Sequence, residues 1–350
     1  MKEETIRLNG KVFDQRNLID LKSDINKGWQ NDIYYFLECW FNDSSVIITR
    51  TSGSTGEPKG IRLAKQAMRN SAKMTNAFFG LTESKTALLC LPALYIAGKM
   101  MLVRAIVGGF NLIPVEPKAN PFENVNSEID FTAITPFQLN ASAETLKKFP
   151  LKNIIVGGGH VNKKLEEIST EIPANLYETY GMTETASHIA LRRFNGEKSE
   201  YFTILDGVSI RQDERDCLVI SAPHLTDEEL ITNDIIELNT DKSFKWLGRA
   251  DSVINSGGVK IFPEQVEKKL ENYIPFNFYV IGLPDENLGT KVVLVIENNV
   301  NINFNNIFET VLGKYEIPKE VFYTEKFQYS VSNKILKKET LEHILKVQKH

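Results

Sequence analysis

The stretch TSGSTGEPKG (51–60) follows the apolar run SVIIT (45–49) and precedes LAKQAMRNSAKM, a segment with helical spacing of its apolar residues. Gly53, Gly56 and Gly60 let the backbone come close to an anion. Thr51, Ser52, Ser54, Thr55 and Lys59 offer hydroxyl donors and one ammonium group to phosphate oxygens. It is not a Walker A loop: counted from Gly53, the glycine-lysine pair of that motif falls at 58–59, where Pro58 and Lys59 stand. A tripeptide such as TSG alone reads as a flexible surface turn. The whole decapeptide behind a strand reads as a phosphate loop.

Such a loop needs a frame, and the pattern around it supplies one. The runs at 45–49, 87–91, 111–114, 131–134, 153–156 and 175–178 read as strands, and amphipathic stretches such as 138–148 and 162–169 read as helices between them. Strand alternating with helix predicts an α/β fold with a mostly parallel sheet covered on both faces. From 201 to 247 the chain turns β-rich, with YFTILDGVSI, CLVISA, IIEL and FKWLG separated by Asp, Gly and Asn, as in antiparallel hairpins or a small barrel. After Asp251 come a hairpin (VINSGGVKI), a helix (FPEQVEKKLEN), two strands and two further helices. The reading is a large domain, 1–250, with a β-rich subdomain, and a small α+β domain, 251–350, with the hinge at Asp251.

Composition bounds the function. Forty-one Lys and Arg against 45 Asp and Glu leave a formal charge of -4, without the basic footprint of a nucleic-acid binder. With 42% hydrophobic and 25% charged residues the chain is an ordinary globular protein. Cys39, Cys90 and Cys217 are too few and too scattered for a disulfide framework or a zinc ribbon. The start, MKEETIRLNGK, does not read as a signal peptide. The apolar segment 87–109 is broken by Pro92, Lys99 and Arg104, so it reads as a buried strand-turn-helix rather than a membrane span. A cytoplasmic protein is the default expectation.

With its companions, the decapeptide resembles the phosphate loop of the adenylate-forming superfamily, which holds acyl-CoA synthetases, peptide-synthetase adenylation domains and luciferases. Four more stretches follow in that family's order: YETYGMTET (177–185), Asn233-Asp234 after Ile-Thr, GRADSVINSGGVKIFPEQVE (248–267) and SNKILKKE (332–339). The resemblance covers residues 45 to 345. It departs in two places. The phosphate loop stands much nearer the start than in the family, which implies a missing or replaced N-terminal subdomain. Tyr95 stands where many members carry histidine.

The resemblance implies an enzyme that joins a carboxylic acid to a thiol in two steps through an acyl-adenylate, using ATP, Mg²⁺ and coenzyme A. Its expected partners are these small molecules, with no nucleic acid and no integral membrane segment; a homodimer stays open. Thr51, Ser52, Gly53, Ser54, Thr55, Gly56 and Lys59 would hold the outer phosphates. Thr183 and Glu184 would act at the reacting centre, with Glu184 the Mg²⁺ ligand, since a hard cation prefers carboxylate oxygen. Tyr180 and Gly157-Gly158-Gly159 would receive adenine, although a triple glycine is also a plain βα turn. Asp234, acceptor-only when ionised, would take the two ribose hydroxyls, and Arg249 would add a forked donor to ribose or phosphate. Lys334 would be the catalytic cation, against the reading of a surface lysine in a lysine-rich tail. Gly258 would leave room for a pantetheine arm, unless its hairpin alone requires it. Alternatives within reach are another aryl or fatty acyl-CoA ligase, an enzyme that loads a carrier protein, and a non-catalytic nucleotide-binding protein.

The acid subsite is implied around LYIAGKMMLVR, ITPFQL and ETASHIA. Lys99 and Arg104 lie in an apolar stretch, and a buried cation costs several kcal/mol, on the order of a whole domain's margin, unless it is paired. Arg104 therefore meets either a core acid or a substrate's second carboxylate. These strings resemble the branch of the family that takes an aromatic keto-diacid, with Tyr95 and Phe137 as flat walls and Arg104 as the remote clamp. His188 would add a donor or be a structural histidine.

Overall fold

A computed structural model describes residues 4–23, 25–49, 60–298, 303–329 and 335–347, with the backbone of Arg50. The chain opens with a hairpin, β1 (Ile6–Leu8) and β2 (Lys11–Phe13), closed by Asn9-Gly10. Both turn residues have positive φ (48° and 81°), the conformation that matches the twist of paired strands. Helices α1 (Leu18–Ser23) and α2 (Gly28–Phe41) follow. Strands β3 (Val46–Arg50) and β4 (Gly60–Ala64) form a separate antiparallel pair, and α3 (Lys65–Phe79) follows at once. The run 45–49 is thus a strand as expected, but outside the parallel sheet. The helical segment starts at Lys65, because Leu63 and Ala64 are drawn into β4.

The sheet core then alternates: β5 (Thr86–Leu89), α4 (Ile96–Gly108), β6 (Asn111–Pro114), β7 (Ile129–Ile134), α5 (Pro136–Leu146), β8 (Leu151–Val156), α6 (Lys163–Ser169) and β9 (Asn175–Gly181). A short 3-10 turn (Thr183–Thr185) leads into β10 (His188–Arg193), β11 (Phe202–Ile204), β12 (Ser209–Gln212), β13 (Cys217–Ser221), β14 (Leu230–Thr240) and β15 (Ser243–Arg249). Among the described residues, thirteen strands make one sheet in the order β12-β13-β14-β15-β11-β10-β9-β8-β7-β5-β6-β1-β2. Strands β1, β6, β5, β7, β8 and β9 run parallel; β10 to β15 continue the sheet antiparallel. The β-rich segment therefore forms hairpins that extend the main sheet, not a closed barrel.

Alternation along the parallel strands fills both faces. Ala87, Leu89 and Phe131 pack under α2, α3 and α4, while Leu88, Ile154 and Leu176 pack with Leu139 of α5 and Leu165 of α6. Beyond β15 the chain builds smaller units. A hairpin, β16 (Ile254–Ser256) and β17 (Val259–Ile261), leads to α7 (Pro263–Leu270), with Pro263 opening the helix. β18 (Phe278–Asp285), β19 (Gly289–Glu297), α8 (Asn305–Val311), β20 (Glu320–Thr324) and α9 (Lys337–Val347) follow, and β18-β19-β20 form their own sheet over a separate apolar core. Strand β20, parallel to β19, was not expected from the sequence.

Candidate active site

Parallel neighbours in a sheet end side by side, and ligands of α/β sheets sit where those carboxyl ends meet. Here β5, β7, β8 and β9 bring four loops to one edge: 90–95 before α4, Thr135 capping α5, Gly157 to Gly159, and the turn after Gly181. Thr135 accepts from the Gln138 backbone, and Gln138 donates to the Cys90 carbonyl at 3.0 Å, tying two of these loops together. Cys90 itself is fully buried, and burial pushes its thiol up to about 12, which excludes it as a nucleophile at neutral pH. Tyr95 and Phe137 stand exposed on this edge, Phe137 at 69%.

The glycines divide by role. A Cβ at Gly157 would stand 2.5 Å from Thr179 Oγ1, so packing against β9 alone demands glycine there. Gly158 has φ +80°, and a Cβ on it would meet nothing within 4 Å among the described residues, so its bare backbone lies open on the sheet edge. Next to it, the Val161 N–H and His160 Nδ1 reach Glu178 Oε1 at 2.9 and 3.2 Å. Burial pushes the Glu178 carboxyl up, but His160, Arg192 and the Val161 N–H together hold it below its ordinary value. This network anchors the glycine turn from beneath.

Tyr180 and Asp234, 54 residues apart, are joined by a 2.6 Å hydrogen bond from the phenol to Oδ2. Trp246 Nε1 donates to Asp234 Oδ1 at 3.2 Å, and Arg249 Nη1 lies 3.6 Å from the same oxygen. Burial, then the Asp234 charge, raises the Tyr180 phenol well above its ordinary value, so it stays a donor. Its ring meets Phe202 and Phe244 edge-on. The pairing of β14 with β15 puts Asp234 opposite Arg249, and Arg249 forks onto Asp251 at 2.9 and 3.0 Å. The His160 and Trp246 rings, 6.3 Å apart, lie beside this cluster. The sequence reading missed both; the tryptophan shortly before the GRAD stretch was the signal that could have found one of them.

Glu184 is exposed in the 3-10 turn with no hydrogen-bond or ion-pair partner among the described residues, and Thr183 stands beside it. Strand β4 touches this turn. The pair β3–β4, whose last register is Arg50 with Gly60, therefore brings the ends of the phosphate-loop motif to the same edge. Thr51, Ser52, Gly53, Ser54, Thr55, Gly56 and Lys59, and likewise Lys334, lie outside the described residues. Among the described residues no group of three or more His, Cys, Asp or Glu could hold a metal by itself. Mg²⁺ does not require one: it takes one or two carboxylates and completes its shell with waters and phosphates. The unengaged Glu184 carboxylate fits that demand.

The acid side departs from expectation in detail. Lys99 is turned onto the Leu94 carbonyl at 2.9 Å and Thr49 Oγ1 at 3.4 Å, so it ties β3 to the start of α4 instead of standing open for a substrate. His188, expected to offer a donor, has both ring nitrogens engaged, by Thr75 Oγ1 at 3.2 Å and Ser187 Oγ at 3.3 Å. Burial, helped by the Arg104 charge, pushes it well below its ordinary pKa, so it is neutral. Arg104 is 2% exposed, and no core acid lies within ion-pair reach of it among the described residues. Its Nη2 donates to Ser187 Oγ at 2.8 Å, Nη1 meets Met101 Sδ at 3.5 Å, and Nε has no partner among them. Burial brings its pKa down to about 9.

In the hairpin β16–β17, Gly257 and Gly258 both have positive φ (58° and 83°), so the two-residue turn accounts for both glycines. Asp251 lies just past β15, held by Arg249, while Gln265 Nε2 of α7 donates to the Leu247 carbonyl at 2.8 Å.

Residues 17–211 match the AMP-binding enzyme family. The chain is 26% identical over 336 residues to a 2-succinylbenzoate–CoA ligase of Bacillus mycoides, covering 85% of this chain and 70% of the relative. It is 27% identical over 330 residues to one of Listeria monocytogenes, with the same coverage. Among solved structures it resembles an acyl-CoA synthetase (AMP-forming)/AMP-acid ligase II-like protein from Dyadobacter fermentans at 34% identity and TM-score 0.62, over 91% of this chain and 95% of that one. It also shares its fold with the Bacillus subtilis o-succinylbenzoate coenzyme A synthetase solved with ATP and magnesium (TM-score 0.74, 23% identity, 84% of this chain and 69% of that one). The chain belongs to the AMP-binding enzyme family. It is an adenylate-forming enzyme of the AMP-forming acyl-CoA synthetase class.

Proposed function

We propose that this enzyme activates o-succinylbenzoate as its adenylate and passes the acyl group to coenzyme A, a step of menaquinone biosynthesis in the cytoplasm. The observation that carries the reading is Arg104: a buried guanidinium without a carboxylate among the described residues, kept in a family whose substrates are carboxylates. A buried unpaired cation is strongly unfavourable, so its presence asks for an anion that arrives with the substrate. An aromatic acid bearing a second carboxylate supplies one, with Tyr95 and Phe137, exposed at the sheet edge, as its apolar walls. The 2-succinylbenzoate–CoA ligases among its relatives support the same choice.

The carboxylate oxygen of the substrate bonds to the α-phosphorus of ATP while pyrophosphate leaves; the coenzyme A sulfur then bonds to the acyl carbon while AMP leaves. Both steps need charge stabilisation more than covalent help. Asp234, pre-set by Tyr180 and Trp246, accepts from the ribose hydroxyls, with Arg249 alongside. Gly158 gives adenine a bare backbone to lie on, beside Tyr180. Thr51, Ser52, Ser54, Thr55 and Lys59 cradle the outer phosphates. Mg²⁺ on Glu184, next to Thr183, would neutralise phosphate charge. Lys334, carried by a mobile unit 251–350 that turns about Asp251, offsets the charge that develops between carboxylate and phosphorus, and Gly258 then lines the approach of the thiol arm.

The test is pyrophosphate release from ATP over a panel of carboxylic acids, with and without free coenzyme A. The expected result is preference for o-succinylbenzoate and thioester formation with the free thiol. Activity with medium-chain fatty acids alone overturns the substrate, and acyl transfer to a carrier protein but not to free coenzyme A overturns the acceptor.

A further inference from the structure

Helix α3 carries a polar face where α4 and β10 press on it: Ser71 and Thr75 are fully buried, and Asn76 nearly so. Thr75 Oγ1 is 3.2 Å from the Ser71 carbonyl and 3.2 Å from His188 Nε2; on the other side of that ring, Nδ1 meets Ser187 Oγ, which also receives Arg104 Nη2. The donors and acceptors fix the hydrogens at the Thr75 end of this row. Arginine only donates, so Ser187 Oγ accepts from it and still has its own hydrogen and a second lone pair to offer His188 Nδ1. A carbonyl only accepts, so Thr75 gives its hydrogen to Ser71 and receives from His188 Nε2. Nε2 of His188 therefore carries a hydrogen, and because burial beside the Arg104 charge keeps the ring neutral, Nδ1 is bare and accepts from Ser187.

We infer that Thr75 and His188 are positioning residues of the acid subsite: through Ser187 they hold the Arg104 guanidinium at one orientation, with Nε left for the substrate's second carboxylate. A further observation supports this. Ala186, buried and not glycine, is held at φ 60° and ψ -35°, a conformation that costs on the order of 1–3 kcal/mol and persists only where the surroundings enforce it. That kink sits directly before Ser187. The Thr185 hydroxyl donates to the Ser187 carbonyl at 2.7 Å and secures the turn. The inference rests on reading Arg104 as the anion clamp; the row itself does not.

Two measurements separate the row from that reading. Nitrogen NMR of His188 should show the Nε2–H tautomer at pH 7, and Thr75→Val, of equal size but with no acceptor, should shift both ring nitrogens. In steady-state pyrophosphate release, Thr75→Val and His188→Leu should raise KM for o-succinylbenzoate about tenfold, the worth of one charge-assisted hydrogen bond. Their kcat should stay within about twofold of wild type, as expected when uniform binding is lost. Benzoate, which lacks the second carboxylate, should be unaffected. Thr75→Ser and His188→Gln, which can remake the same bonds, should restore the tautomer-independent part of the effect. A doubly protonated or Nδ1–H His188, an equal loss for both acids, or no loss for either overturns the inference. If wild type fails to distinguish the two acids, the substrate reading falls, and the NMR result alone decides the row.

Discussion

Two parts of the site are built on opposite terms. Around Asp234 every charge already has a partner: Tyr180, Trp246 and Arg249 converge on its carboxylate, and Asp251 takes the rest of Arg249. Around Arg104 the charge is buried with a serine, a thioether and an open Nε, and with no acid among the described residues. The first cluster is complete by itself, as the proposed function asks of the part that holds the nucleotide. The second has no anionic partner among the described residues, as the proposed function asks of the part that chooses the acid. On the proposed function, stability and specificity sit in different places, because a preorganised pair keeps its geometry without ligand, whereas an unpaired buried charge gives up stability for recognition.

The largest effect should come from Arg104→Leu. Loss of charge-assisted hydrogen bonds worth about 1.5–3 kcal/mol each should lower kcat/KM for o-succinylbenzoate by about 10–150-fold for every such bond removed, with KM for ATP unchanged. Thermal melting of the same variant should rise, since an apolar side chain replaces an unpaired ion; a gain of about 1–4 kcal/mol is the range for buried ionic groups replaced by apolar ones. If melting falls and both acids suffer alike, Arg104 is paired in solution and the contrast disappears.

Asp234→Ala should act the other way on both counts. It leaves the Tyr180 phenol and the Trp246 N–H without their acceptor, at about 1–3 kcal/mol for an unsatisfied buried group, so melting should fall. KM for ATP should rise by roughly tenfold while KM for the acid holds. A variant impaired for the acid but not for ATP would place Asp234 outside the nucleotide site.

The smallest effect is a pH slope. His188 has a folded pKa below its unfolded value, so the unfolded chain binds the extra proton. Stability therefore rises with pH and is lost as pH falls below about 6.5, by at most about 1.4 kcal/mol per pH unit for one proton. Chemical denaturation of wild type and His188→Gln at pH 7.5 and 5.5 should show a shallower slope for the variant. Parallel slopes would mean that His188 is not buried neutral beside Arg104.

Much of this was legible in one dimension. The parallel strands announced themselves as short apolar runs, the β-rich segment as alternation between turns, and the hairpin before α7 as VINSGGVKI with a proline to open the helix. The Asn9-Gly10 hairpin went unread, because strands of three residues are weak evidence until β6 offers an edge for β1. Strand β3 was recognised, yet its partner β4 was divided between the glycine-rich motif, which took Gly60, and the helical segment, which took Leu63 and Ala64, so no run long enough to show alternation was left.

Residue types and their order along the chain determined the chemistry on offer: hydroxyls and glycines for phosphate, a carboxylate for a hard cation, an arginine in an apolar helix. Local spacing decides these, since each depends on what a side chain can donate, accept or carry. Which side chains face one another was settled by the fold. That Tyr180 meets Asp234 across 54 residues, that Lys99 reaches back to Thr49, and that Arg104 finds Ser187 follow from strand order and helix packing, because hydrogen bonds and charge pairs depend on ångström distances that no linear pattern encodes.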